Sequence, residues 1–180
     1  MITKNIKYEL CILLILFGIM GILHGQAPIS RGFDNLQLGM DFLSAQEALT
    51  QNSNVQYRGA PDVSMRPGTR EPLLRALGRG FVDEVYLQFR NDQLYSLVIV
   101  MDEKRIDYFT FFQRFSSDYG NPQRFSPQRS IWEDGQTRLI LEKPLIVQYI
   151  DIEQFDQILE EHRILDSVQQ FSRDLFLDSF

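Results

Sequence analysis

The spacing of apolar and polar positions along the chain changes several times, and each change marks an element. An unbroken apolar run fills residues 10–23, from Leu10 to Leu23, behind the basic residues Lys4 and Lys7. At about 14 residues it suits the core of a secretory signal better than a membrane-spanning helix of about 20. Gly25 offers a cleavage point before Gln26, so residues 1–25 are expected to be a cleavable signal peptide. An uncleaved signal anchor is the alternative, though Gly18 and Gly21 weaken such a helix; either way the rest of the chain is exported, to the periplasm or beyond.

After this segment the pattern is that of a folded domain. Residues 33–40 form a short opening strand with a glycine turn, and Asp41 is placed to cap a helix in which Phe42, Ala45, Ala48 and Leu49 recur at helical spacing as far as about Thr50. Residues 55–65 are extended chain broken by Gly59 and Pro61, and residues 66–72 (Arg-Pro-Gly-Thr-Arg-Glu-Pro) are a mobile loop by composition. From Val85 the chain alternates to Phe89, turns at Asn91-Asp92 and returns through Leu94 to Met101 as a hairpin. A second helix is expected over residues 107–119, with Tyr108, Phe111, Phe112 and Phe115 on a buried side and Gly120 closing it. Asp134-Gly135 is the expected turn of a second hairpin, residues 130–133 against 136–141, with Pro144 at a bulge or an edge and residues 145–150 continuing the strand. The last segment carries Phe155, Ile158, Leu159, Leu165, Val168, Phe171 and Leu175, a helical stripe longer than a typical helix of about 12 residues.

Runs of strands separated by helices predict an α+β fold of two layers, an antiparallel sheet covered on one face by helices. Residues 26–151 form the domain, and residues 152–180 a C-terminal amphipathic helix that packs on it or extends from it. The halves, each a helix followed by a hairpin, share one plan.

Charge narrows the partners. Without residues 1–25 the chain keeps 16 basic and 23 acidic side chains, so its surface repels phosphate and nucleic acid is not an expected partner. A membrane is expected only through the signal segment, if uncleaved. Beyond that segment Lys104 and Lys143 are the only lysines, and the arginines are expected to form forked pairs with Asp and Glu. Cys11 is the only cysteine, and it lies in the apolar run, which removes disulfides, thiolate metal sites and cysteine nucleophiles from the exported domain.

Leu38-Gly39-Met40, with Ala45, Ala48 and Leu49 on the first helix and the hairpin stretch Leu87-Gln-Phe-Arg-Asn-Asp-Gln-Leu94, resembles the BamE/SmpA-like group of small bacterial envelope proteins over about 60 residues. The chain departs from that group in two ways. Cys11 is misplaced for lipid attachment, and the Gly-x-Pro expected after the first helix occurs instead as Gly120-Asn-Pro122 after the second. The resemblance implies a small envelope scaffold or adaptor and brings no catalytic residue with it.

Chemistry is sparse. His162 is the only histidine beyond the signal and reads as a helix-surface residue, so neither a metal nor another cofactor is expected. No Gly-x-Ser-x-Gly or Ser-x-x-Lys motif is present. Asp83-Glu84, Asp102-Glu103 and Glu133-Asp134 are carboxylate pairs of the kind a glycan hydrolase would need, and also the kind that simply faces solvent. Arg58, Arg66 and Arg70, with Arg75 and Arg79, are a candidate surface for an acidic ligand, or else pair with Asp62 and Glu71. Trp132 is a core residue or an interface anchor. Phe171, Leu175, Phe176 and Phe180 on the overlong tail are the candidate partner-binding residues. The leading expectation is a non-enzymatic exported protein-interaction or scaffold module, binding an envelope protein or its own copy. An envelope glycan hydrolase and a self-assembling envelope protein are the alternatives.

Overall fold

The computed structural model describes residues 27–59, 63–65 and 72–177, with backbone alone for residues 63–65, 165–169, 171, 172 and 174–177. The fold is α+β. A small hairpin, β1 (Gly32–Phe33) and β2 (Leu36–Gln37), opens it and buries Leu36 completely. Helix α1 (Phe42–Gln51) follows, capped by Asp41, whose carboxylate accepts from the Ser44 amide at 2.9 Å and the Ser44 hydroxyl at 2.7 Å. Strands β3 (Val55–Gln56), β4 (Val63–Met65), β5 (Pro72–Gly78), β6 (Val82–Arg90) and β7 (Gln93–Met101) come next.

Helix α2 (Tyr108–Tyr119) repeats the capping chemistry, with Asp107 accepting from the Thr110 amide and hydroxyl, both at 2.9 Å. Gly120, at φ 77°, ends the helix in a conformation that favours glycine. Then come β8 (Arg124–Phe125), β9 (Arg129–Glu133), β10 (Thr137–Glu142), β11 (Ile146–Asp151) and the long helix α3 (Ile152–Leu177).

The sheet runs β3-β5-β6-β7-β11-β10-β9-β8, antiparallel throughout, with β4 beside β3 on the same edge of β5. Each half is thus a helix followed by an antiparallel meander, and the halves meet where β7 pairs with β11. The shared plan seen in the sequence is real at the level of architecture.

The core lies between the sheet and the two shorter helices. Ala45 and Leu49 of α1 and Phe115 of α2 pack with Leu87, Leu97 and Leu139 of the strands. Trp132 is fully buried, donates Nε1–H to the Gly120 carbonyl at 2.8 Å and meets Phe115 edge-on, with ring centres 5.7 Å apart. It is a core residue, which removes the interface-anchor reading. The aromatic side of α2 is buried to different depths: Phe115 almost completely, Tyr108, Phe111 and Phe112 partly, whereas Phe109 is 61% exposed on the other side.

Three local expectations change. The second hairpin turns over Gly135-Gln136, one residue later than expected. The Asp134 carboxylate takes the Gln136 and Thr137 amides, which holds Asp134 at the strand end, and Gly135 at φ 91° becomes the first turn residue. Pro144 sits in the reversal between β10 and β11, preceded by a cis peptide bond, so residues 146–151 are a separate antiparallel strand and do not continue β10. Residues 72–78, absent from the expected elements, form the interior strand β5, with Leu74 and Ala76 buried and Arg75 facing outward. Pro72 opens that strand, and Arg75 masks its alternation.

Candidate interaction surface

Strand alternation gives the sheet a second face, opposite α1 and α2, and the register sorts it into rows. One row reads Leu77, Glu84, Val100, Ile146, Glu142, Arg129 from β5 to β9; the next reads Arg75, Tyr86, Val98, Gln148, Ile140, Ile131. The first row has an apolar centre, Val100 and Ile146, between Glu84 and the Glu142–Arg129 pair, whereas the second sets Gln148 beside Val98 and ends in buried Ile140 and half-buried Ile131. On one flank Arg75 donates to Glu84, which also accepts from the Tyr86 hydroxyl. On the other, Arg129 pairs with Glu142 at 2.8 Å, while Arg138 and Arg124 share Glu133. Val98, Val100, Ile131 and Ile146 are half-buried, although core residues on the other side of the same strands are sealed.

The third row, Leu73, Gln88, Ser96, Ile150, Arg138, Glu133, lies toward the first turns of α3. Asp151 ends β11, accepts from the Gln154 amide at 3.0 Å and pairs with Arg31 at 2.6 Å, so the helix starts with its first turn fixed. Arg138 stands 5.8 Å from the centre of the Phe155 ring, and the Gln154 side chain reaches Gln93 at 2.8 Å. Arg90, only 7% exposed at the end of β6, donates to the Gln154 carbonyl at 3.3 Å and to the Glu161 carboxylate. The helix therefore reaches from the end of β11 to Arg90 of β6 within its first three turns.

Beyond Glu161 the character of α3 changes. His162, Arg163, Ile164, Gln170 and Arg173 are all exposed, Ile164 by 52%. Among the described residues the core cluster takes none from α3. In this 26-residue helix the described bonds to the sheet fall within residues 154–161.

The residues singled out by sequence fall unevenly. Phe171, Leu175 and Phe176 lie on the α3 backbone, but their side chains, and all of Phe180, lie outside the described residues. Arg66 and Arg70 lie outside them too, as do Asp62, Glu71 and the signal segment. Arg58 is exposed near the β3 edge, whereas Arg75 belongs to the β5–β6 hairpin and pairs across it. His162 is on the helix surface. Arg90, which clasps α3, was missed; an arginine beside an Asn-Asp turn carries no sequence signal of burial.

One or both members of each carboxylate pair are engaged in structural bonds, while Asp83 and Glu103 are exposed. Hydrogen bonds from Arg75 and Tyr86 hold Glu84 below its ordinary pKa, and the same bond to Glu84, with burial, raises that of Tyr86. For Glu133 burial pushes upward, but the guanidiniums of Arg138 and Arg124 outweigh it and the net direction is down. For Asp134 burial is likewise outweighed, here by the amides of Thr137, Gln136 and Ile29. A general acid needs the opposite shift. Asp102 caps its own turn through the Lys104 amide and pairs with Arg105 at 3.0 Å.

Among the described residues no group of three or more His, Cys, Asp and Glu could hold a metal ion, and no helix is long and apolar enough to cross a membrane. A polar depression of about 290 Å³ is lined by Arg31, Gly135, Gln136, Asp151 and Glu153, and its cation is already engaged with Asp151. The nine ion pairs found among the described residues all use arginine, as its forked geometry favours.

A family model described as the TP0088 domain matches residues 31–161. No curated protein and no solved structure matches the chain. The matched span starts at the arginine that fixes the first turn of α3 and stops at the glutamate clasped by Arg90.

Proposed function

The chain belongs to the TP0088 domain family, and from that premise we propose that it is a non-enzymatic, exported interaction module whose domain ends near residue 161 and whose remaining helix binds a partner protein of the cell envelope. One observation carries the reading. Helix α3 continues for 16 residues past the family match, and every described side chain there is exposed. A helical segment of that length needs packing to persist, because isolated helices shorter than about 12–15 residues barely form in water and longer ones still depend on packing. Its apolar positions Ile164, Leu165, Val168, Phe171 and Leu175 recur on one side by spacing, the pattern of a helix that docks by an apolar face.

The apolar run at residues 10–23 behind Lys4 and Lys7 supports export. Support for binding over catalysis comes from Glu84, Glu133 and Asp134, whose bonds to arginine, tyrosine and backbone lower their pKa values. The scaffold role implied by the BamE/SmpA-like resemblance at residues 38–49 and 87–94 is of the same kind. Chemical crosslinking with mass spectrometry in intact cells tests the proposal, comparing the full chain with one ending at Leu165. Since the described core uses no α3 residue, the shortened chain keeps its domain, and an envelope partner should be lost with the tail. An unchanged set of crosslinks would remove the tail's role.

A further inference from the structure

The residues that follow the apolar run are fastened to the domain almost at once. Ile29 is 5% exposed, and its amide donates to the Asp134 carboxylate at 2.8 Å. The Ser30 amide donates to the Tyr119 hydroxyl at 3.3 Å, and Arg31 donates to the Thr137 hydroxyl at 3.4 Å and pairs with Asp151 at 2.6 Å. These partners lie 89 to 120 residues further along the chain, at the end of α2, the β9–β10 turn and the end of β11. Residues 29–31 therefore form a strap that docks only when the last strands of the sheet are in place.

We propose that this strap guards the cut that removes the leader: the bond between Gly25 and Gln26 is open to a signal peptidase until the strap docks, and shielded afterwards. The proposal rests on the reading of residues 1–25 as a leader cut after Gly25, and states when that cut can happen.

Reach carries the inference. Gln26, Ala27 and Pro28 separate the cut from Ile29, and three residues span at most about 11 Å. A domain of this size has a radius of gyration of about 14 Å, so a docked strap holds its bulk against the bond to be cut. A protease also takes its substrate as an extended strand whose backbone it hydrogen-bonds. In the docked strap the Ile29 and Ser30 amides are already committed and the Ile29 side chain is sealed. Cleavage of the folded chain is then limited by the fraction with the strap undocked, which burial of one isoleucine side chain alone holds to about a tenth or less.

Chain order sets the timing. The leader is made first and the strap's partners Asp134 and Asp151 come late, so the bond stays accessible while the chain is being exported. A chain that folds before it is cut keeps its leader and remains held to the membrane at its β9–β10 turn.

The test uses the full-length precursor, folded in detergent micelles, and a purified signal peptidase, with the product mass identifying the cut bond. Six Gly and Ser residues inserted between Ala27 and Pro28 add about 20 Å of reach and leave every strap contact in place. The expected result is cleavage after Gly25 about tenfold faster or more in the lengthened precursor than in the wild type. Ile29→Ser combined with Arg31→Ala loosens the strap at its original length and should also speed the cut severalfold, with a urea melt showing that the domain is folded. Equal rates for all three precursors would overturn the guard, and so would acceleration by the insertion alone, which would leave docking of the strap without a role. Cleavage of none of them, or at another bond, would instead remove the leader reading on which the proposal stands.

Discussion

Replacing Arg90 probes how α3 is fastened to the domain. The guanidinium is nearly buried and donates to the Glu161 carboxylate and the Gln154 carbonyl, while the side chain of Glu161 remains 62% exposed. Hydrogen bonds to charged groups contribute about 1.5–3 kcal/mol when buried, and an exposed ion pair about 0.2–1 kcal/mol. Arg90 lies between these limits. Arg90→Met keeps much of the apolar stem and removes a desolvated charge, so part of the loss is offset, leaving about 1 kcal/mol. Glu161→Gln strands the buried charge beside neutral acceptors and costs a similar amount, again about 1 kcal/mol.

The two changes act on one contact, so the double variant should cost less than their sum, with a coupling of about 0.5–1 kcal/mol in a urea-unfolding cycle. Hydrogen exchange gives the sharper signature. Amides of residues 155–161 should lose roughly fivefold in protection, as a change of about 1 kcal/mol implies, while Leu87 and Leu97 in the core keep theirs. Zero coupling, or lost protection in β6 and β7 with α3 unchanged, would refute the clasp.

Trp132→Ala should destabilise the domain by about 3–5 kcal/mol in urea melts, since it empties a core site against Phe115 and leaves the Gly120 carbonyl without its donor. Asp107→Ala should lower the unfolding midpoint and Asp107→Asn should restore most of it, because the amide oxygen still accepts from the Thr110 backbone. Glu84, Glu133 and Asp134 have folded pKa values below their ordinary ones. Their contribution is therefore full above the unfolded values near pH 4 and is lost as pH falls through the depressed folded values. Urea midpoints should hold between pH 7 and about pH 5 and drop below about pH 4, and Asp134→Asn should weaken the protein at neutral pH while flattening that acid dependence.

Much of the fold was legible because local signals and the global arrangement agree. Asp41 and Asp107 announce helix starts, Gly120 a stop, and Asn91-Asp92 a hairpin turn, with Asn91 at φ 48° and Asp92 at φ 60°. Strand β5 was illegible because Arg75 and Arg79 made a buried strand look like part of a basic loop. The turn at Gly135 shifted by one residue because Asp134 spends its carboxylate on backbone amides, a choice that composition does not encode. The surface was harder still. Arg75 and Glu84 are nine residues apart and Arg90 and Glu161 seventy-one, so these partners exist only once register and topology are set. The stripe on α3 announced an apolar side but not that Gln154, Phe155 and Glu161 engage residues of the sheet.

The most direct test of the tail as the binding element is site-specific photo-crosslinking in intact cells. A photoreactive side chain is placed at Ile164, which is 52% exposed, and, as a control, at Leu43, which is 74% exposed on α1 behind the opposite face of the sheet. A defined crosslinked protein band from position 164, absent from position 43, is the predicted result. Equal labelling at both positions, or a band from position 43 alone, would contradict the account.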